Sequence, residues 1–100
     1  MDYSNGSNQQ HRLRASQVYA TTGASADTYR RRESAGLRLP FLVDEAGRKF
    51  LPADEAALQA EAVRANLDPD RMRALVRGVL EARERARALL EALIDGEVSS

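Results

Sequence analysis

The sequence predicts a mostly α-helical chain that carries one small β-hairpin and ends in a long helix. Three observations predict it. Apolar residues recur at helical spacing through most of the chain; glycines and prolines mostly fall where those segments end; and residues 37–51, rich in Leu, Phe and Val, are split by an Asp-Glu-Ala-Gly turn. One hundred residues make one small domain, or a small domain with an appended helix, with a core modest enough for self-association to add stability.

Composition narrows the function classes. With no cysteine there is no disulfide, no thiolate metal site and no cysteine nucleophile, and no metal or cofactor is expected. His11, the only histidine, sits in a polar stretch and reads as a solvated side chain. Adjacent carboxylates at Asp44-Glu45 and Asp54-Glu55 read as solvated charge at a turn and a helix start, so no catalytic residue is expected. No apolar run approaches the roughly 20 residues that cross a bilayer, which gives a cytoplasmic, nucleoid-associated expectation and no membrane partner. The net charge is zero, yet residues 11–50 carry eight basic residues against four acidic ones, and residues 51–100 carry seven against ten. The first half can face phosphates; the second is not built to.

In chain order, residues 1–12 read as a disordered tail, because the first ten lack apolar content; Arg12 and Arg14 are the residues that would make it an arm for a minor groove. Residues 13–22 form a short helix with Ala15, Val18, Tyr19 and Thr22 on one side, stopped by Gly23. Ser25 then caps a second helix that Gly36 ends. Asp27, Arg30, Arg31 and Ser34 share its outer side, while Tyr29 falls opposite and is free to pack. Two short helices joined through Gly23-Ala24-Ser25 make a helix-turn-helix, or else an ordinary helical hairpin. An arginine-bearing second helix suits a DNA major groove.

Residues 37–43 and 48–51 read as two strands around the turn 44–47, with Phe41 and Phe50 as anchors on the helices. Arg48 and Lys49 put positive charge on the returning strand, either as a phosphate-facing wing or as a plain surface hairpin. Pro52, Asp54 and Glu55 open a third helix whose apolar positions are Ala56, Ala57, Leu58, Ala60 and Val63, and Asn66-Leu67 breaks it. Asp68-Pro69 opens the last helix, expected to reach about Ile94 with the end fraying. Leu75, Val79, Ala82, Ala86, Leu89 and Leu93 recur at steps of four and three, a dimerisation seam; a second line through Met72, Val76 and Leu90 is interrupted by Arg83. Glu81 with Arg85 and Arg87 with Glu91 are spaced as helical ion pairs. Gly78 marks either a close crossing or a kink.

These residues resemble a family. Thr22-Gly23-Ala24-Ser25 at the turn is followed by Thr28, Arg30, Glu33, Ala35, Gly36 and Leu37. Gly47, Arg48, Lys49 and Phe50 come next, then Pro52, Asp54 and Leu58. This order resembles the winged helix-turn-helix DNA-binding domain of MerR-type regulators over roughly residues 13–58. The resemblance implies a winged domain at 13–66, a dimerisation helix at 68–95 that pairs in an antiparallel coiled coil, and a minimal form without an effector domain. Tyr19 stands where that family has a small alanine, and Arg31 and Arg32 replace its aromatic pair.

The leading functional expectation is therefore a homodimeric, sequence-specific binder of double-stranded DNA, a small transcriptional regulator with no small-molecule effector. Its expected DNA-contacting residues are Arg14, Ser25, Thr28, Arg30, Arg31, Arg32, Arg48 and Lys49. The alternatives are a phage or plasmid accessory protein (excisionase, small terminase or segregation factor), whose winged domains also resemble this chain, and a helical protein-interaction adaptor.

Overall fold

The computed structural model describes residues 11–99, so the expected tail at 1–10 lies outside the described residues. The elements are β1 (Arg12–Arg14), α1 (Ala15–Thr22), α2 (Ala26–Ser34), β2 (Leu42–Val43), β3 (Lys49–Pro52), α3 (Ala53–Arg64) and α4 (Pro69–Ser99). The chain is mostly helical, with a small antiparallel sheet and a long C-terminal helix.

The sheet has three strands rather than the two expected, in the order β1-β3-β2. Leu13, expected to open the first helix, instead pairs with Leu51, flanked by the pairs Arg12 with Pro52 and Arg14 with Phe50. The Arg-Leu-Arg alternation sends Leu13 to the core and its neighbours outward, and the Arg12 guanidinium lies 4.6 Å over the Phe50 ring. Arg12 thus belongs to the sheet rather than to a tail, and the His11 carbonyl accepts the Ala53 N–H at 2.8 Å. Helix α1 starts only after Arg14, whose N–H is taken by the Gln17 side chain at 2.8 Å. On the other edge, just Leu42–Val43 of the apolar stretch 37–43 forms strand. Pro40 has no N–H to give a ladder, and Leu39 makes its hydrogen bonds to side chains instead.

Val18, Tyr29, Leu39, Leu51, Ala56 and Val76 form the buried core, with Leu13, Tyr19, Phe41, Val79 and Leu80 packed against it. Tyr19, Tyr29 and Phe41 make an aromatic triangle with ring centroids 5.3 to 5.9 Å apart, so the large Tyr19 is accommodated by tilted and edge-on ring contacts. On α3 the inward line is Ala56, Gln59, Ala60 and Ala62. Leu58, expected inside, is exposed and Gln59 is buried in its stead. The reason is a closed set of hydrogen bonds: the Tyr29 hydroxyl donates to the Leu39 carbonyl (2.7 Å) and accepts from Gln59 Nε2 (3.1 Å), while Gln59 Oε1 accepts the Leu39 N–H (2.7 Å). Burial pushes the Tyr29 hydroxyl up to about 12, which keeps it protonated as a donor.

The first three helices end alike. After α2, Gly36 adopts φ +80°, its N–H meets the Glu33 carbonyl at 3.0 Å and the Leu37 N–H reaches Arg32 at 2.9 Å. Gly23 ends α1 the same way, and Asn66, at φ +57°, ends α3. Gly96 is not left-handed, so it stops nothing, and α4 continues to Ser99 instead of ending near Ile94.

The first half of α4 is part of the body. Met72 and Val76 are buried, Val79 and Leu80 are half-buried, and Arg83 reaches Glu55 of α3 through Nε at 3.2 and 3.3 Å. The interruption at Arg83 is thus a cross-helix ion pair, and the core runs across the boundary expected between 66 and 68. A Cβ on Gly78 would meet nothing within 4 Å, so no close crossing explains it here. Neither Glu81 with Arg85 nor Arg87 with Glu91 forms an ion pair among the described residues.

Tyr29→Phe keeps the ring contacts but strands the Leu39 carbonyl and a Gln59 amide donor. Urea unfolding should show a loss of about 1–3 kcal/mol. An unchanged midpoint would mean that ring packing alone holds α2.

Candidate nucleic-acid interface

Helix α2 is anchored at both ends and in the middle, so its outer side is presented in a fixed attitude. At the start, Ser25 Oγ accepts the Thr28 N–H at 3.2 Å. In the middle, Tyr29, 1% exposed, ties it to Leu39 and Gln59. At the end, Arg73 of α4 donates from Nε to the Ala35 carbonyl at 3.1 Å. A charged donor there also suits the negative end of the helix dipole.

Of the residues expected to meet DNA, α2 brings several together on this outer side. Asp27, Arg30, Arg31 and Ser34 are all exposed. Arg30 lies 3.4 Å from Asp27, an ion pair of two largely exposed side chains that a phosphate or base edge can readily replace. Thr28 is half-buried, and its hydroxyl accepts from Ser25 Oγ at 3.0 Å and from Arg31 Nη2 at 3.4 Å. Ser25 is thus occupied as a cap. Arg32 is exposed but departs from the group: it borders a cavity with Arg38 and the α3–α4 junction.

The hairpin supplies the second cluster. Arg48 and Lys49 are exposed on the returning arm. Asp44, expected to be solvated, is in fact the centre of the turn, with its side chain 5% exposed. Its Oδ1 accepts the N–H groups of Ala46 (3.0 Å) and Arg48 (2.9 Å), and Gly47 at φ +81° closes the loop. Its Oδ2 takes Arg14 Nη1 at 2.8 Å and lies 4.0 Å from Arg48 Nε. Arg14 is therefore engaged in fastening the turn to β1, beside the start of α1. This hub is the feature that sequence reasoning missed, although an Asp ahead of a Gly in a four-residue turn is the signal for it.

Along α4 the expected seam divides. Leu75 and Val79 are half-buried, and Val79 packs on this chain's own core, whereas Ala82, Ala86, Leu89 and Leu93 are exposed. Leu90 and Ile94 join them, so that four large apolar side chains, each more than half exposed, lie along two turns.

Among the described residues no group of His, Asp or Glu is placed to hold a metal ion, and no helix is long and apolar enough to cross a membrane. No protein-family model, no curated protein and no solved structure matches the chain.

The N–H of Arg48, the Arg14 guanidinium and the Ala46 N–H hold the Asp44 carboxyl down at about 2, against 3.8 for a free one. A depressed carboxyl stabilises the fold fully above about pH 4 and loses that contribution as pH falls through about 2. The stability difference between the wild type and Asp44→Asn, followed by thermal melts, should therefore shrink as pH is lowered from 4 to 2. A difference that stays constant over that window would remove Asp44 from the role of charged hub.

Proposed function

We propose that the chain is a dimeric, sequence-specific DNA-binding protein of the winged helix-turn-helix type, acting as a small transcriptional regulator, as the MerR-like order of its elements suggests. The observation that carries this reading is the solvent-facing Arg30 and Arg31 on a short helix whose opposite side is locked down by Tyr29. An α-helix of that size fits the major groove, and arginine is the residue best suited to the O6/N7 edge of guanine. Arg48 and Lys49 on the hairpin would then lie on flanking phosphates, which position the protein without reading sequence.

Dimerisation is supported by α4. From Glu84 to Gly96 every residue is exposed, yet Leu89, Leu90, Leu93 and Ile94 fall within that half. A helix end with so much bare apolar surface calls for a partner, and a second copy would supply a matching stripe. Two such copies would bind a two-fold site with half-sites about 34–36 Å apart if both helices enter one face of the duplex. The same bare stripe favours one other reading, a helical adaptor in which a different protein takes the place of the second copy.

Arg30→Ala should weaken binding to a selected duplex by about 1–3 kcal/mol and relax preference at one base position. An equal loss on matched and scrambled duplexes would assign Arg30 to phosphate instead. No retention of any duplex at low salt, where phosphate contacts are strongest, would reject DNA binding. Leu89→Glu with Leu93→Glu should halve the solution mass measured by light scattering while leaving the folded core intact; a wild-type mass of one chain would reject the dimer.

A further inference from the structure

Arg38 is a buried cation without a counter-ion. It is 8% exposed; Nη1 donates to the carbonyl of Leu37 at 2.7 Å, and Nε is the one buried side-chain polar atom with no partner among the described residues. No described carboxylate lies within ion-pair distance of it. Burial, and after it the like charge of Arg32, shift its pKa downward. A guanidinium stays protonated in spite of that, so the positive charge is held in place uncompensated.

Both arginines border one open-sided cavity of about 280 Å³, lined also by Leu37, Asn66, Pro69 and Met72. Pro69 is the first residue of the 31-residue helix α4, so the positive end of a long helix dipole faces the same space. Asp68 and Asp70 stand at that same end but are turned to solvent, Asp68 with Arg71 at 3.4 Å and Asp70 with Arg73 at 3.8 Å, and neither lines the cavity. Everything charged that borders the cavity is therefore positive, and a buried charge left without compensation is costly.

We propose that this cavity binds a small free oxyanion, the phosphate or carboxylate group of a low-molecular-weight ligand, held by Arg38 and Arg32 at the amino end of α4. Its size falls just below the usual range for ligand pockets, which suits a compact phosphorylated or dicarboxylic compound better than a nucleotide. An arginine fork presents paired N–H donors that match either group. The site is separate from the outer side of α2 and would exist whether or not the chain binds DNA. The sequence carried no sign of it and led to no expectation of a small-molecule ligand.

The test uses inorganic phosphate as the probe, against chloride at matched ionic strength and pH, with the Arg Nε–H resonances followed by NMR. Saturable shifts are expected at Arg38 and Arg32, with a rise in Tm. Arg38→Gln should weaken phosphate affinity by at least about tenfold, the loss of one charge-assisted hydrogen bond. Arg32→Ala, at an exposed position, gives a second variant that leaves folding untouched and should weaken it several-fold. Linear, unsaturated shifts equal to those in chloride, or equal affinity in wild type and both variants, would overturn the proposal. So would a loss of duplex affinity in Arg38→Gln without any saturable phosphate response, since that result would put a DNA phosphate there.

Discussion

The arrangement depends on the hydroxyl of Tyr29. One oxygen donates to the Leu39 carbonyl and accepts from Gln59, and Gln59 closes the set on the Leu39 N–H. Three segments far apart in sequence, α2, the approach to the hairpin and α3, are thereby fixed by directional bonds and not by apolar contact alone. The core of so short a chain is small, with alanines and valines in equal number to large side chains such as Tyr29, Leu39 and Phe50. Such a core specifies approximate positions well and orientations poorly, and a satisfied buried polar set supplies the orientation. The outer arginines of α2 have a defined attitude because the residue between Thr28 and Arg30 is held in this way.

A similar logic governs charge. The pairs that build the structure, Arg14 with Asp44 and Arg83 with Glu55, are half-buried or better and join elements distant in sequence. The pairs on helix surfaces, such as Arg30 with Asp27 and Arg71 with Asp68, are local and largely exposed. The first kind ties a turn to a strand or a helix to a helix; the second leaves its cations available. A count of arginines does not separate the two, because the difference lies in which carboxylate happens to be buried nearby.

That difference also sets what was legible in the sequence. The two helix stops at Gly23 and Gly36, the Ser25 cap, the inward Tyr29 and the start of α4 at Pro69 were readable, since each rests on local chemistry within a few residues. What was not readable depends on partners far along the chain. Strand β1 exists because Leu13 meets Leu51; Gln59 is buried because Tyr29 and Leu39 are there to bond it; and Arg83 breaks an apolar line because Glu55 waits across the gap. For the candidate interface, the exposure of Arg30, Arg31, Arg48 and Lys49 agreed with expectation. Arg14 and Arg32 turned to other surroundings, and Asp44 and Arg38 emerged only from the packing.

Helix α4 has one further consequence. Pro69–Ser99 is a single rod of about 46 Å. Its near half is clamped, through Val76 in the core and through Arg73 on the last turn of α2, and its far half stands clear. Such a rod is a lever: torque applied at the free tip arrives undiminished at the arginine-bearing helix unless the rod bends first. Gly78, a weak helix former, lies between Val76 and Arg83, both held by the body, so the clamp splints the rod at that point.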